Sequence, residues 1–138
     1  MTKKIKASII GVTGYSGLEL LRLLAVHPNV EINYLTSRQN DNCLIGELYP
    51  HLSHLPYEVS NTEHLKVAKE SDIVFLCLPH QASQGIVAEL FGKVKLIDLS
   101  ADYRLDDVDV YEKYYCKHQY PELLKQVAYG LPEIVGED

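Results

Sequence analysis

Gly11, Gly14 and Gly17 recur at three-residue intervals in Ile9-Ile10-Gly11-Val12-Thr13-Gly14-Tyr15-Ser16-Gly17. The spacing suits backbone that must come close to an anion. The first glycine permits a tight turn, the second lets the chain approach a pyrophosphate, and the third lets a helix pack on a strand. Free N–H groups at the helix N-terminus then attract the negative charge, with Thr13, Tyr15 and Ser16 lining the same cradle. The alternative is a plain strand-to-helix connection with no nucleotide.

Roughly twenty residues beyond such glycines, an NAD site commonly presents Asp or Glu to the ribose 2′-hydroxyl. This chain presents Thr36-Ser37-Arg38-Gln39 instead. A carboxylate would repel a 2′-phosphate, whereas the Arg38 guanidinium offers it charge-assisted bonds and Ser37 adds a hydroxyl. NADP is therefore expected over NAD, against the alternative that Arg38 is a solvated loop arginine.

Two further stretches follow apolar runs. Leu78, Pro79 and His80 close the run that begins at Asp72, at the edge where open α/β sheets bind ligands. His80 either contacts cofactor or caps the next helix. Cys77 lies within an apolar strand and reads as a small buried hydrophobe, not as a nucleophile. In Asp98-Leu99-Ser100-Ala101-Asp102-Tyr103-Arg104, Ser100 is placed to reach the cofactor. Arg104 is a candidate anchor for a phosphate or carboxylate substrate, or else pairs with Asp102 or Asp106. His51 and His54 lack a third ligand, so no metal site is expected.

The elements that must position these groups alternate between apolar runs and helical patterns. Strands are predicted near Lys6 to Ile10, Glu31 to Thr36, Asp72 to Leu78 and Lys95 to Leu99. Helices are predicted near Tyr15 to Val26, Thr62 to Glu70 with Asn61-Thr62-Glu63 as its cap, and Gln81 to Phe91. Ser37 to Ser60 reads as a long loop with short irregular elements. Tyr111, Tyr114 and Tyr115 have helical spacing, and a short helix is expected at Glu122 to Gln126. The pattern predicts an α/β, doubly wound (Rossmann-type) mostly parallel sheet with helices on both faces.

At 138 residues, with 46% hydrophobic and 23% charged residues, the chain suits one folded domain. A net charge of -6 excludes a sequence-independent nucleic-acid binder. The three cysteines are far apart and form no Cys-x-x-Cys pair, which excludes a disulfide framework and fits a cytoplasmic protein. No signal peptide or membrane span is expected. Tyr129 to Asp138 ends with no capping element, as expected of a piece of something longer.

Taken in order, Gly11 to Leu20, Thr36-Ser37-Arg38, Leu78-Pro79-His80, Leu99 to Arg104 and Tyr129-Gly130-Leu131-Pro132-Glu133 resemble the N-terminal portion of N-acetyl-gamma-glutamyl-phosphate reductase. The glycines alone would be shared with aspartate-semialdehyde dehydrogenases. The resemblance implies an arginine-biosynthesis enzyme that uses NADPH to reduce an acyl phosphate to a semialdehyde with phosphate release, through a cysteine thioester and a histidine acid–base group. It also implies that residues 1–138 are the dinucleotide-binding domain of a two-domain enzyme. The catalytic Cys and His, with the second α+β domain, are expected beyond this chain, which alone should bind cofactor without turnover. A homo-oligomer is expected of the whole enzyme. Gln81 stands where many members carry glycine.

Overall fold

The computed structural model describes residues 2–135. In chain order the elements are β1 (Ile5–Ile10), α1 (Tyr15–Ala25), β2 (Val30–Thr36), β3 (Cys43–Leu44), α2 (Ile45–Leu48), β4 (Glu58–Ser60), α3 (His64–Glu70), β5 (Ile73–Leu76), α4 (Ala82–Leu90), β6 (Lys95–Asp98), α5 (Val108–Tyr114) and α6 (Pro132–Val135). Six strands form one sheet in the order β3-β4-β2-β1-β5-β6. Every neighbouring pair is parallel except β3 with β4.

β1 is central, and its residues 7–10 are buried, as a strand covered on both faces requires. Its side chains alternate between two cores. Ile9 packs with Leu21 of α1, Leu35, Ile45 and Val59 on one face. Ile10 packs with Val67 of α3 and with Ile86, Val87 and Leu90 of α4 on the other. The chain runs from β1 to one side of the sheet and returns to β1's other side with β5, so the strand order reverses at β1. A crevice must open there between the two diverging connections.

A register shift between Ala7 and Ile9 interrupts the β1–β2 pairing. Ser8 repairs it, because its fully buried hydroxyl accepts the Tyr34 N–H at 3.0 Å and shares a 2.7 Å hydrogen bond with the Ser71 hydroxyl.

The stretch 37–60, read as a loop, contributes two strands. Val59 of β4 is fully buried and pairs with Leu35 of β2, and β3 closes a short antiparallel pair on β4. Strands of two and three residues are too short for alternation to show. The cap expected at Asn61-Thr62-Glu63 is not made. The Thr62 hydroxyl is engaged with the Ser60 hydroxyl at 2.6 Å, and α3 starts after Glu63 with no side-chain cap. The helix expected at Glu122 to Gln126 is a 3-10 turn over Pro121–Gln126, and the Asp72 to Leu78 strand is shorter, ending at Leu76. The reading of the last three residues as uncapped lies outside the described residues. No helix among the described residues is long and apolar enough to cross a membrane.

Candidate functional site

β1 ends at Ile10 and the chain turns sharply. The N–H groups of Gly11 and Val12 both donate to the Thr36 carbonyl, at 3.0 and 3.1 Å, tying the turn to the end of β2. Gly11 has φ +84°, and a Cβ there would lie 2.6 Å from the Cys77 carbonyl oxygen. Gly17 is buried where α1 crosses the turn; a Cβ would lie 2.7 Å from Gly11 and Val12 backbone atoms. These are the tight turn and the close helix packing read from the sequence. Gly14 differs. It precedes α1 in extended backbone, with ordinary φ and a nearest neighbour to its missing Cβ at 3.8 Å, so no protein contact demands a glycine there. Its bare Cα faces open space that a ligand can use.

That space is a groove of about 380 Å³ at the carboxyl ends of β1, β2 and β5. Gly11, Thr13 and Gly14 form one wall; Ser37, Arg38, Gln39 and Asn61 line one end; Cys77, Leu78, Pro79 and Ala82 line another side. Tyr15 and Ser16 stand exposed in the first turn of α1, whose amides have no side-chain cap and are free to meet an anion. The turn is braced from outside by Tyr49, whose hydroxyl donates to the Thr13 carbonyl at 2.9 Å.

Arg38 is exposed and has no ion-pair partner among the described residues. Ser37 is buried, and its hydroxyl is already used: it donates to Asn40 Oδ1 at 3.2 Å and accepts the Gln39 N–H at 3.3 Å. It therefore shapes the loop that presents Arg38. His80, Ser100 and Arg104 lie outside the groove lining. The His80 ring packs edge-on against Tyr115, and its Nδ1 accepts the Ala101 N–H at 3.2 Å, while α4 has no side-chain cap. Ser100 is buried and donates its hydroxyl to Asp98 Oδ2 at 2.9 Å. Burial raises the Asp98 carboxyl above the ordinary range, against the lowering effect of Ser100's amide and hydroxyl. Arg104 donates to the Leu99 carbonyl at 2.7 Å and pairs with neither Asp102 nor Asp106.

Cys77 borders the groove but is 6% exposed, and burial pushes its thiol up to about 11. A thiol so held is protonated near neutrality and is not a nucleophile. No cluster of three metal-ligating side chains occurs among the described residues. His64 and Asn61 were missed as groove residues because they reach it only after β4 returns the chain alongside β2. No local pattern marks that return.

A mainly parallel sheet with a glycine turn at its strand-order reversal, and a groove opening between the diverging connections, is a dinucleotide-binding α/β domain. The chain belongs to the semialdehyde dehydrogenase NAD binding domain family, which matches residues 6–138. It is 44% identical over its whole length to an N-acetyl-gamma-glutamyl-phosphate reductase of Ehrlichia canis, covering 40% of that relative. A second reductase of that name, from Halothermothrix orenii, is 47% identical over 94% of this chain and 38% of the relative. A putative [LysW]-L-2-aminoadipate/[LysW]-L-glutamate phosphate reductase of Pyrococcus furiosus is 43% identical over 94% of the chain and 38% of the relative. The chain thus spans about two fifths of the length of these relatives. Among solved structures, aspartate semialdehyde dehydrogenase with NADP from Candida albicans shares the fold, with TM-score 0.58 and 21% identity over 77% of this chain and 32% of that one.

Proposed function

We propose that this chain is the NADP-binding part of a cytoplasmic, homo-oligomeric reductase that converts N-acetyl-gamma-glutamyl phosphate to N-acetylglutamate semialdehyde with release of phosphate. The observation that carries the reading is the groove itself, which runs from the bare Gly14 to Arg38, unpaired among the described residues, with no carboxylate in Thr36-Ser37-Arg38-Gln39 at the end of β2. An open Cα at the helix start fits a pyrophosphate, and a free guanidinium fits a 2′-phosphate.

In this reading Gly11, Thr13, Gly14, Tyr15, Ser16 and Gly17 hold the pyrophosphate through backbone amides. Arg38 binds the 2′-phosphate, with Ser37 fixing the loop that carries it. Leu78 and Pro79 exclude water from the inner end, with His80 and Ser100 supporting that edge from behind. Arg104, whose guanidinium makes one hydrogen bond among the described residues, to the Leu99 carbonyl, anchors substrate. NADPH held there would supply the hydride that reduces the activated acyl carbon to the aldehyde as its leaving group departs. The acyl-transfer groups are assigned to the remainder of the enzyme: the chain spans about two fifths of its relatives' length, Cys77 at the groove is buried and protonated, and Cys43 and Cys116 are not among the groove-lining residues. The residues 1–138 alone then bind cofactor and do not turn over.

The test is calorimetric. Arg38→Ala is expected to weaken NADP binding by about tenfold or more, the loss of a charge-assisted contact, and NAD binding by less than about twofold. Equal losses for the two would remove the 2′-phosphate assignment. A second reading, reduction of an aminoadipyl or related acyl phosphate, is favoured by the comparable identity of the Pyrococcus furiosus relative. Phosphate release by the full-length enzyme with each acyl phosphate separates the two.

A further inference from the structure

Gln81 occupies a conformation that disfavours it. The Ala82 N–H donates to the Pro79 carbonyl at 3.2 Å, making Pro79 to Ala82 a β-turn, and Gln81 sits at its third position with φ 75°. That position ordinarily takes glycine, because a Cβ crowds the backbone at positive φ. The two ends of this turn, Pro79 and Ala82, line the groove beside Leu78.

Something must hold Gln81 there, and the structure shows what does. The Gln81 N–H donates to Asp102 Oδ1 at 2.9 Å. Asp102 is fully buried and is itself fixed from several sides: the Tyr111 hydroxyl donates to the same oxygen at 2.7 Å, its N–H donates to Ser100 Oγ at 3.1 Å, and its carbonyl meets His118 Nε2 at 2.8 Å. Tyr111, also fully buried, receives a hydrogen bond from Gln84 Nε2 at 3.0 Å, which links the assembly to α4. Meanwhile Asp102 Oδ2 is buried without a hydrogen-bond partner among the described residues. A carboxyl group kept buried at that cost needs a reason, since an apolar residue would satisfy packing alone.

We propose that Asp102 is a positioning residue for the cofactor: its carboxyl oxygen holds the Gln81 amide and so keeps the Pro79–Ala82 turn in the form that shapes the inner end of the groove. It touches no ligand and acts through the turn. The proposal rests on the dinucleotide reading above, and it predicts an effect confined to the half of the dinucleotide beyond the adenosine.

The experiment measures NADP and adenosine 2′,5′-bisphosphate binding by calorimetry on the full chain and its variants, with folding checked by thermal melting. Asp102→Ala is expected to weaken NADP by about tenfold while leaving the bisphosphate within about twofold. Asp102→Asn, which keeps an acceptor facing the Gln81 N–H, should stay within about threefold of the parent for both ligands. Gln81→Gly, added to Asp102→Ala, should restore most of the lost NADP affinity, because glycine adopts the turn unaided. If Asp102→Ala does not fold, Asp102→Ser makes the same comparison, being polar but too short to reach Gln81. Equal losses for both ligands, no loss for either, or no rescue by Gln81→Gly would overturn the positioning role. A parent chain that binds neither ligand would instead overturn the cofactor reading beneath it, and the proposal with it.

Discussion

The three glycines of the β1–α1 turn are not equivalent, and their differences define an experiment. Gly11 combines φ +84° with a 2.6 Å approach to the Cys77 carbonyl oxygen, so Gly11→Ala strains the backbone and pushes away the chain just past β5. A loss of about 2–3 kcal/mol in denaturant-measured stability is expected. Gly14 has ordinary backbone angles and room for a Cβ. Gly14→Ala should change stability by less than about 1 kcal/mol, yet weaken dinucleotide binding about tenfold or more, because the methyl occupies the space where phosphate would approach. Comparable affinity in Gly14→Ala and the parent would mean that the groove does not hold a pyrophosphate at that point.

Among the elements, the segment between β2 and α3 is the least regular and the most consequential for the turn. α2 and the following Pro50–Leu52 3-10 turn bring Tyr49 beneath residue 13, where its hydroxyl donates to the Thr13 carbonyl at 2.9 Å. Gly46 permits that packing, since a Cβ there would lie 2.5 Å from the Ser53 Cα. Tyr49→Phe keeps the ring and removes one hydrogen bond. We expect a stability loss of about 1 kcal/mol, read from urea unfolding, and faster amide hydrogen exchange across residues 11–14. Unchanged exchange there would show that the brace does not reach the turn.

Across the whole molecule, two cores on opposite faces of one sheet carry the stability, and Cys77 belongs to the one beneath α1. Its thiol, raised by burial from an ordinary 9.0 to about 11, stays protonated in the folded chain while an unfolded chain would already ionise. The stabilising contribution is therefore complete below pH 9 and is lost as pH rises towards 11. A rise from 9.0 to about 11 corresponds to at most about 3 kcal/mol. Urea midpoints measured from pH 8 to pH 11 should fall, and fall less steeply in Cys77→Ala. Parallel curves for the two proteins would assign the alkaline loss to other groups.

The amino-acid sequence by itself determined the local features. The glycine spacing, the apolar runs of β1, β2, β5 and β6, and the amphipathic patterns of α1 and α4 were all legible, because each is set by neighbours within one turn or one strand. The place of Arg38 at the groove was legible for the same reason, since it follows a strand end that must face the crevice. The tertiary structure alone decided what depends on returns of the chain. β3 and β4 are too short to announce themselves, so neither Asn61 and His64 at the groove nor Tyr49 under the turn had a sequence signal. Ser37, His80 and Ser100 show the same limit from the other side. Their chemistry is visible in the sequence, but whether a hydroxyl or an imidazole faces a ligand or a backbone neighbour depends on partners such as Asn40, Ala101 and Asp98 and on the geometry that aims it. Asp102 reaches Gln81 across 21 residues. Only close packing, not periodicity, brings such a pair together.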